Sequence, residues 1–146
     1  MKIKHILMST DFSAASASAL ELAVELARAF DAKLTLLHIW ELPIYPYMDF
    51  MLNSAVIAEV EDAATKGLAR ALAELQKTMP GAQSKLKTGL PWQGILEATE
   101  ELGADLVVMG THGRQGLSRM TLGSVAEKVV RQSKVPVMTA HAARQV

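Results

Sequence analysis

The stretch that decides the fold is Ile3–Trp40, IKHILMSTDFSAASASALELAVELARAFDAKLTLLHIW. Ile3 to Thr10 is a short apolar run ending in Ser-Thr-Asp, which reads as a buried strand feeding a helix. Leu34 to Ile39 reads the same way. Between them Ala15, Ala19, Leu22, Ala23, Leu26, Ala27 and Phe30 recur at helical spacing and predict a helix of roughly four turns with one apolar stripe. Strand, helix, strand is the crossover unit of a parallel sheet.

The same alternation continues to the C-terminus. An Ala-rich helix is predicted over Ala55–Met79, closed by Pro80-Gly81. Ser84–Thr88 is a weak, polar strand candidate and belongs at a sheet edge. Pro91 opens a helix that runs to Leu102, because its missing N–H costs nothing in a first turn, and Gly103 ends it. Asp105–Met109 is the clearest strand. Leu122, Val125, Ala126, Val129 and Val130 mark a fourth helix, and Val135–Ala140 a last strand, with Pro136 pointing to an edge. Five strands alternating with four helices predict an α/β protein of three layers, with a doubly wound parallel sheet and helices on both faces. Ligands of such sheets sit beyond the carboxyl ends of the strands, so the loops after Thr10, Ile39 and Met109 are the candidate site.

Composition narrows the function classes. The 146 residues suit one domain over 1–146, and 15 basic against 15 acidic side chains give no electrostatic reason to expect nucleic-acid binding. There is no cysteine, which removes disulfides, iron–sulfur clusters, thiolate zinc sites and cysteine nucleophiles. Asp11 interrupts the N-terminal apolar run before signal-peptide length, and no uncharged apolar run spans a bilayer. A soluble, cytoplasmic protein without membrane association is expected. The segment Glu41–Asn53, ELPIYPYMDFMLN, reads as an irregular loop that either packs its own aromatics on the body or covers a ligand or partner surface.

Chemistry concentrates in Met109–Ala126, MGTHGRQGLSRMTLGSVA. Glycines accept positive φ and allow close backbone approach, so Gly110, Gly113 and Gly116 can turn successive amides toward an anion. A helix starting near Gly123 adds unpaired first-turn N–H groups, and Ser124 either supplies a hydroxyl to the ligand or caps the helix. The loop is neither a Walker loop nor the dinucleotide fingerprint, since no Gly-Lys-Ser/Thr closes it and the glycine spacing differs. Asp11 can accept from a ribose or amino group, or cap the following helix. Arg114 and Arg119 can screen phosphate charge. His5, His38, His112 and His141 lack zinc-site spacing, and LGSVA lacks the Gly-x-Ser-x-Gly elbow of hydrolases.

The spacing Gly110, two residues, Gly113, nine residues, Gly123-Ser124 resembles the nucleotide-binding signature of the universal stress proteins, G-x2-G-x9-G-(S/T). The resemblance extends over essentially the whole chain: MSTDFS, LLHIW, GLPWQGILE, ADLVVMGTHG and LGSVAEKVVRQSKVPVM follow in the family's order. It implies a flavodoxin-like sheet of order 3-2-1-4-5, a homodimer and bound ATP. Carried over residue by residue, Ser9, Thr10, Asp11 and Ile39 would border the adenine and ribose, with Met109 and Gly110 beside them. His112, Gly113 and Arg114 would follow the phosphates, and Gly123, Ser124, Val125 and Ala126 would cap them. Ser9 departs from the Pro-Thr-Asp common in ATP-binding members. Mg²⁺ would be held by the ATP phosphates. The functional expectation is a stress-response binding module that acts as a homodimer through the edge Val135–Ala140 and has room for a further protein partner. A slow ATPase, self-phosphorylation at Ser124 or Thr121, and a nucleotide-free interaction protein are the alternatives.

Overall fold

The computed structural model describes residues 1–42, 54–112 and 122–143. Its elements, in chain order, are β1 (His5–Ser9), α1 (Ala14–Phe30), β2 (Lys33–Trp40), α2 (Ser54–Gln76), β3 (Gln83–Thr88), α3 (Pro91–Leu102), β4 (Leu106–Gly110), α4 (Ser124–Gln132) and β5 (Val137–Ala140). The strands form one sheet in the order β3-β2-β1-β4-β5, and every neighbouring pair is parallel. Glu41–Asn53, apart from Glu41 and Leu42, and the loop residues Gly113–Thr121 lie outside the described residues.

Alternation along the central strands sorts their side chains into two cores. Ile6, Met8, Leu34, Leu36 and Val108 face α1 and α2, where they meet Ala19, Ala23, Ala27, Leu68 and Leu75. Leu7, Leu37, Ile39, Val107 and Met109 face the opposite side, where they meet Ile95 and Ala98 of α3 and Ala126 and Val129 of α4. Strands buried on both faces read as near-continuous apolar runs, which is why β1, β2 and β4 were plain in the sequence. The edge strand β3 is polar by contrast. Its Lys85 and Lys87 bind Glu101 of α3 at 2.6 and 2.8 Å, and these two ammonium groups pull the Glu101 carboxyl down to about 2.

Several local expectations need correction. On α1 the buried stripe is carried by Ala15, Ser16, Ala19, Ala23 and Ala27, whereas Phe30 is about half exposed at the helix end. The helix stops at Asp31, which takes the left-handed conformation (φ 52°) usual for glycine and donates its N–H to Arg28. α2 ends at Gln76, before Pro80, and Gly81 does not adopt a positive φ. Helix α4 starts at Ser124, so Leu122 precedes it, and both Leu122 and Val130 are exposed rather than buried. Gly103 does end α3 in the left-handed conformation, with φ 60°.

Candidate functional site

Strand order reverses around β1, whose neighbours β2 and β4 are reached by crossovers in opposite directions, and the carboxyl ends of these strands open into a cleft. Two glycines shape it through close approach, not through positive φ. A Cβ on Gly110, the last residue of β4, would lie 2.9 Å from Ala15 C and 3.0 Å from Ser16 N, so the first turn of α1 can sit directly against the strand end. A Cβ on Gly123 would lie 2.6 Å from the Thr111 carbonyl oxygen, which accepts the Gly123 N–H at 2.7 Å.

Gly123 is itself the N-cap of α4 (φ −63°, ψ 157°). Lacking a side chain, it makes no capping hydrogen bond, so the first-turn amides of Ser124, Val125 and Ala126 receive no acceptor from a cap side chain. Ser124 is the first helical residue rather than the cap. The amide dipoles of α4 therefore end in the cleft with donors to offer, an arrangement suited to an anion.

On the opposite wall, Asp11 is not the cap of α1 either. Ser13 is, accepting the Ser16 N–H at 3.2 Å, and Asp11 buttresses it: Asp11 Oδ1 accepts from Ser13 N–H at 2.9 Å and from the Ser16 hydroxyl at 2.6 Å. Burial pushes the Asp11 carboxyl up, but the hydrogen bonds from Ser13 and Ser16 outweigh it and hold the carboxyl below its ordinary value. The turn's contribution is thus fully present above the ordinary carboxylate range and is lost as pH falls through the lowered value. Between these groups Phe12 adopts a left-handed backbone (φ 63°) and lays its ring on that of His38, with centroids 4.5 Å apart. His38 Nδ1 donates to the Thr10 carbonyl at 2.8 Å.

A third cluster centres on Thr111, which is buried. Its N–H donates to Ala140 of β5 at 2.9 Å, and its Oγ1 stands 3.1 Å from Nδ1 of His112 and 3.1 Å from Nδ1 of His141. His112 Nε2 is buried and has no hydrogen-bond partner among the described residues. A buried polar atom left without a partner costs roughly 1–3 kcal/mol, so this nitrogen is available to a hydrogen-bonding group.

The cleft has a volume of about 1040 Å³. It brings together Ser9, Thr10, Asp11, Ile39, Met109, Gly110, His112, Gly123, Ser124, Val125 and Ala126 of the residues expected from the sequence; Gly113 and Arg114 lie outside the described residues. Sequence reasoning missed Phe12, His38 and Thr111, which also line it. Thr111 had a readable signal in its place between Gly110 and His112. The left-handed turn at Phe12 had none, because the rule for that conformation points to glycine or asparagine.

Fold and cleft together define a doubly wound α/β protein with an anion-competent ligand site at the sheet's switch point. The model of the universal stress protein family matches residues 2–141, and the chain belongs to that family. Universal stress protein A homolog 1 of Coxiella burnetii is 31% identical over 143 residues, covering 94% of this chain and 96% of that protein. Among solved structures, universal stress protein UspA of Lactobacillus plantarum superimposes with a TM-score of 0.84 at 24% identity, covering 96% of this chain and 99% of that one. A universal stress protein solved in complex with cAMP aligns with a TM-score of 0.66 at 25% identity, covering 98% of this chain and all of that one.

Proposed function

We propose that the chain, acting as one domain over residues 1–146, binds an adenine nucleotide, ATP, in this cleft and works as a cytoplasmic stress-response binding module. The observation that carries the reading is the start of α4. Gly123 leaves the first-turn amides of Ser124, Val125 and Ala126 without a cap acceptor, and all three residues line the cleft. Ile39, Met109 and Ile95, which also line the cleft, offer an apolar surface for a base; in this reading Ser9, Thr10 and Asp11 serve the ribose and His112, Gly113 and Arg114 the phosphates. A family relative crystallised with cAMP supports the adenine part of this reading. Mg²⁺ is carried on the phosphates; among the described residues no group of three or more acidic or imidazole side chains forms a metal site.

Occupancy then acts through stability. A ligand that binds only the folded form at one hundred times its Kd stabilises it by roughly 2.7 kcal/mol. For a chain of this length that is a rise in Tm of about 5–10 °C. Calorimetric titration and thermal unfolding with ATP, together with assay of the supernatant of denatured protein for co-purified nucleotide, check this. No heat, no shift and no released nucleotide would leave the nucleotide-free interaction protein as the better reading.

The homodimer is proposed on the edge formed by β5. Pro136 and Ala140 give their carbonyls to Val107 of β4 and to Thr111 just after it, so the backbone groups of Val137 and Thr139 face the open edge. Antiparallel pairing of two copies through Val135–Ala140 satisfies those groups and covers the exposed Met138. Thr139→Pro removes one outward N–H and leaves the β4 ladder intact. Light scattering at micromolar concentration is expected to show a dimer for the wild type and a folded monomer for Thr139→Pro; a wild-type monomer overturns the assignment.

A further inference from the structure

We propose that His112 is the residue that distinguishes a phosphorylated ligand from its nucleoside, and that Thr111 and His141 are positioning residues that fix its tautomer. The proposal rests on the nucleotide reading above and assigns one function within it. Three observations carry it: the partnerless, buried Nε2 of His112, the place of His112 among the cleft-lining residues, with its Cα close to Gly123, and the pair of 3.1 Å contacts from Thr111 Oγ1 to Nδ1 of both histidines.

With the His112 ring neutral, proton counting leaves a single arrangement. A phosphoryl oxygen can only accept, so His112 Nε2 must carry the hydrogen that reaches it. In the neutral ring Nδ1 is then bare and must accept. The nearby donor is the Thr111 hydroxyl, whose one proton is thereby spent, so the second contact of Oγ1 has to be a hydrogen bond donated by His141 Nδ1. The chain runs His141 Nδ1–H to Thr111 Oγ1, Thr111 Oγ1–H to His112 Nδ1, and His112 Nε2–H to the phosphoryl oxygen. A nucleoside offers no such anionic oxygen and leaves Nε2 unpaired.

Thr111 is rigid enough to hold this order. Its N–H is bonded to Ala140 at the end of β5, and its carbonyl accepts from Gly123 at the start of α4. The middle of the relay is therefore tied to the edge strand on one side and to the amides of α4 on the other. His141 directly follows β5, so the outermost imidazole sits where the proposed dimer edge ends.

The test compares affinities for ATP and adenosine in the wild type, His112→Gln and His112→Asn, because glutamine can restore a donor near Nε2 and asparagine only one near Nδ1. His112→Asn is expected to lose about tenfold or more in ATP affinity, the worth of one hydrogen bond to a charged group. Adenosine affinity stays unchanged, and His112→Gln recovers most of the loss. In ATP-bound wild type carrying ¹⁵N-labelled histidine, NMR is expected to show a proton on Nε2 of His112 and on Nδ1 of His141, with the His112 preference lost in Thr111→Val and kept in Thr111→Ser. A proton on His112 Nδ1, or equal ATP affinity in His112→Asn and wild type, overturns the proposal even if every variant folds. Wild type that binds no ATP at all refutes the nucleotide reading instead, which separates the two failures.

Discussion

Gly123→Val is expected to lower ATP affinity by at least about 100-fold, which corresponds to roughly 2.8 kcal/mol. The cause is steric and local. The first atom of any side chain at 123 would stand 2.6 Å from the Thr111 carbonyl oxygen and 3.3 Å from His112 Cα, and neither is a flexible side-chain end that can swing away. Helix α4 must therefore withdraw from β4, breaking the 2.7 Å hydrogen bond from Gly123 to Thr111. The amides of Ser124, Val125 and Ala126 leave with it. Each hydrogen bond to a charged phosphoryl oxygen is worth about 1.5–3 kcal/mol, so misplacing two or three of them accounts for the loss. Ser124→Ala, which removes a hydroxyl but leaves the backbone in place, is expected to cost less than about tenfold. Calorimetric titration of ATP into both variants decides the matter. Gly123→Val binding within threefold of wild type, with the helix content retained, would show that the start of α4 is not the anion site.

That residue also shows what the sequence could and could not reveal. The central strands were legible because burial on both faces leaves continuous apolar runs, as in LLHIW and DLVVM, and the edge placement of β3 was legible from its lysines. The parallel order followed from alternation of strands with helices, and the strand order from family resemblance. Helix ends were less legible. Asp31, not a glycine, closes α1, and α2 ends before its proline, because tertiary packing decides where a frayed turn stops. In the site, spacing singled out Gly110 and Gly123, which line the cleft, but of the two reasons it offered for glycine, positive φ does not apply to either. Both adopt ordinary backbone angles, and what excludes a side chain is protein backbone 2.6 to 3.0 Å away in three dimensions. No one-dimensional pattern carries that distance. The same holds for the aromatic pair Phe12 and His38, which are far apart in the chain and meet only because β1 and β2 are neighbours.

Gly110→Val follows from the same geometry with a different readout. Here the clash is with the first turn of α1: Ala15 C and Cβ at 2.9 Å and Ser16 N at 3.0 Å from the added atom. Ala15 and Ser16 are both buried, and Ser16 is held by Asp11 and Ser13, so the turn cannot yield without breaking the hydrogen bonds that buttress the helix start. Overpacking a filled interior costs about 1–3 kcal/mol and more where backbone must move. Valine at 110 is expected to destabilise the fold by about 3 kcal/mol, lowering Tm by roughly 6–12 °C. Gly81→Ala supplies the opposite case, since a Cβ there meets nothing within 4 Å and the backbone is not in the left-handed region. It is expected to be neutral or to stabilise by a few tenths of a kcal/mol, through the unfolded chain. Urea unfolding of the two variants measures both. Equal midpoints for Gly110→Val and wild type would mean that α1 and β4 can separate freely at the cleft. Asp11 and Gly110 would then no longer be held in a fixed relation, and the wall that faces α4 would lose its anchor.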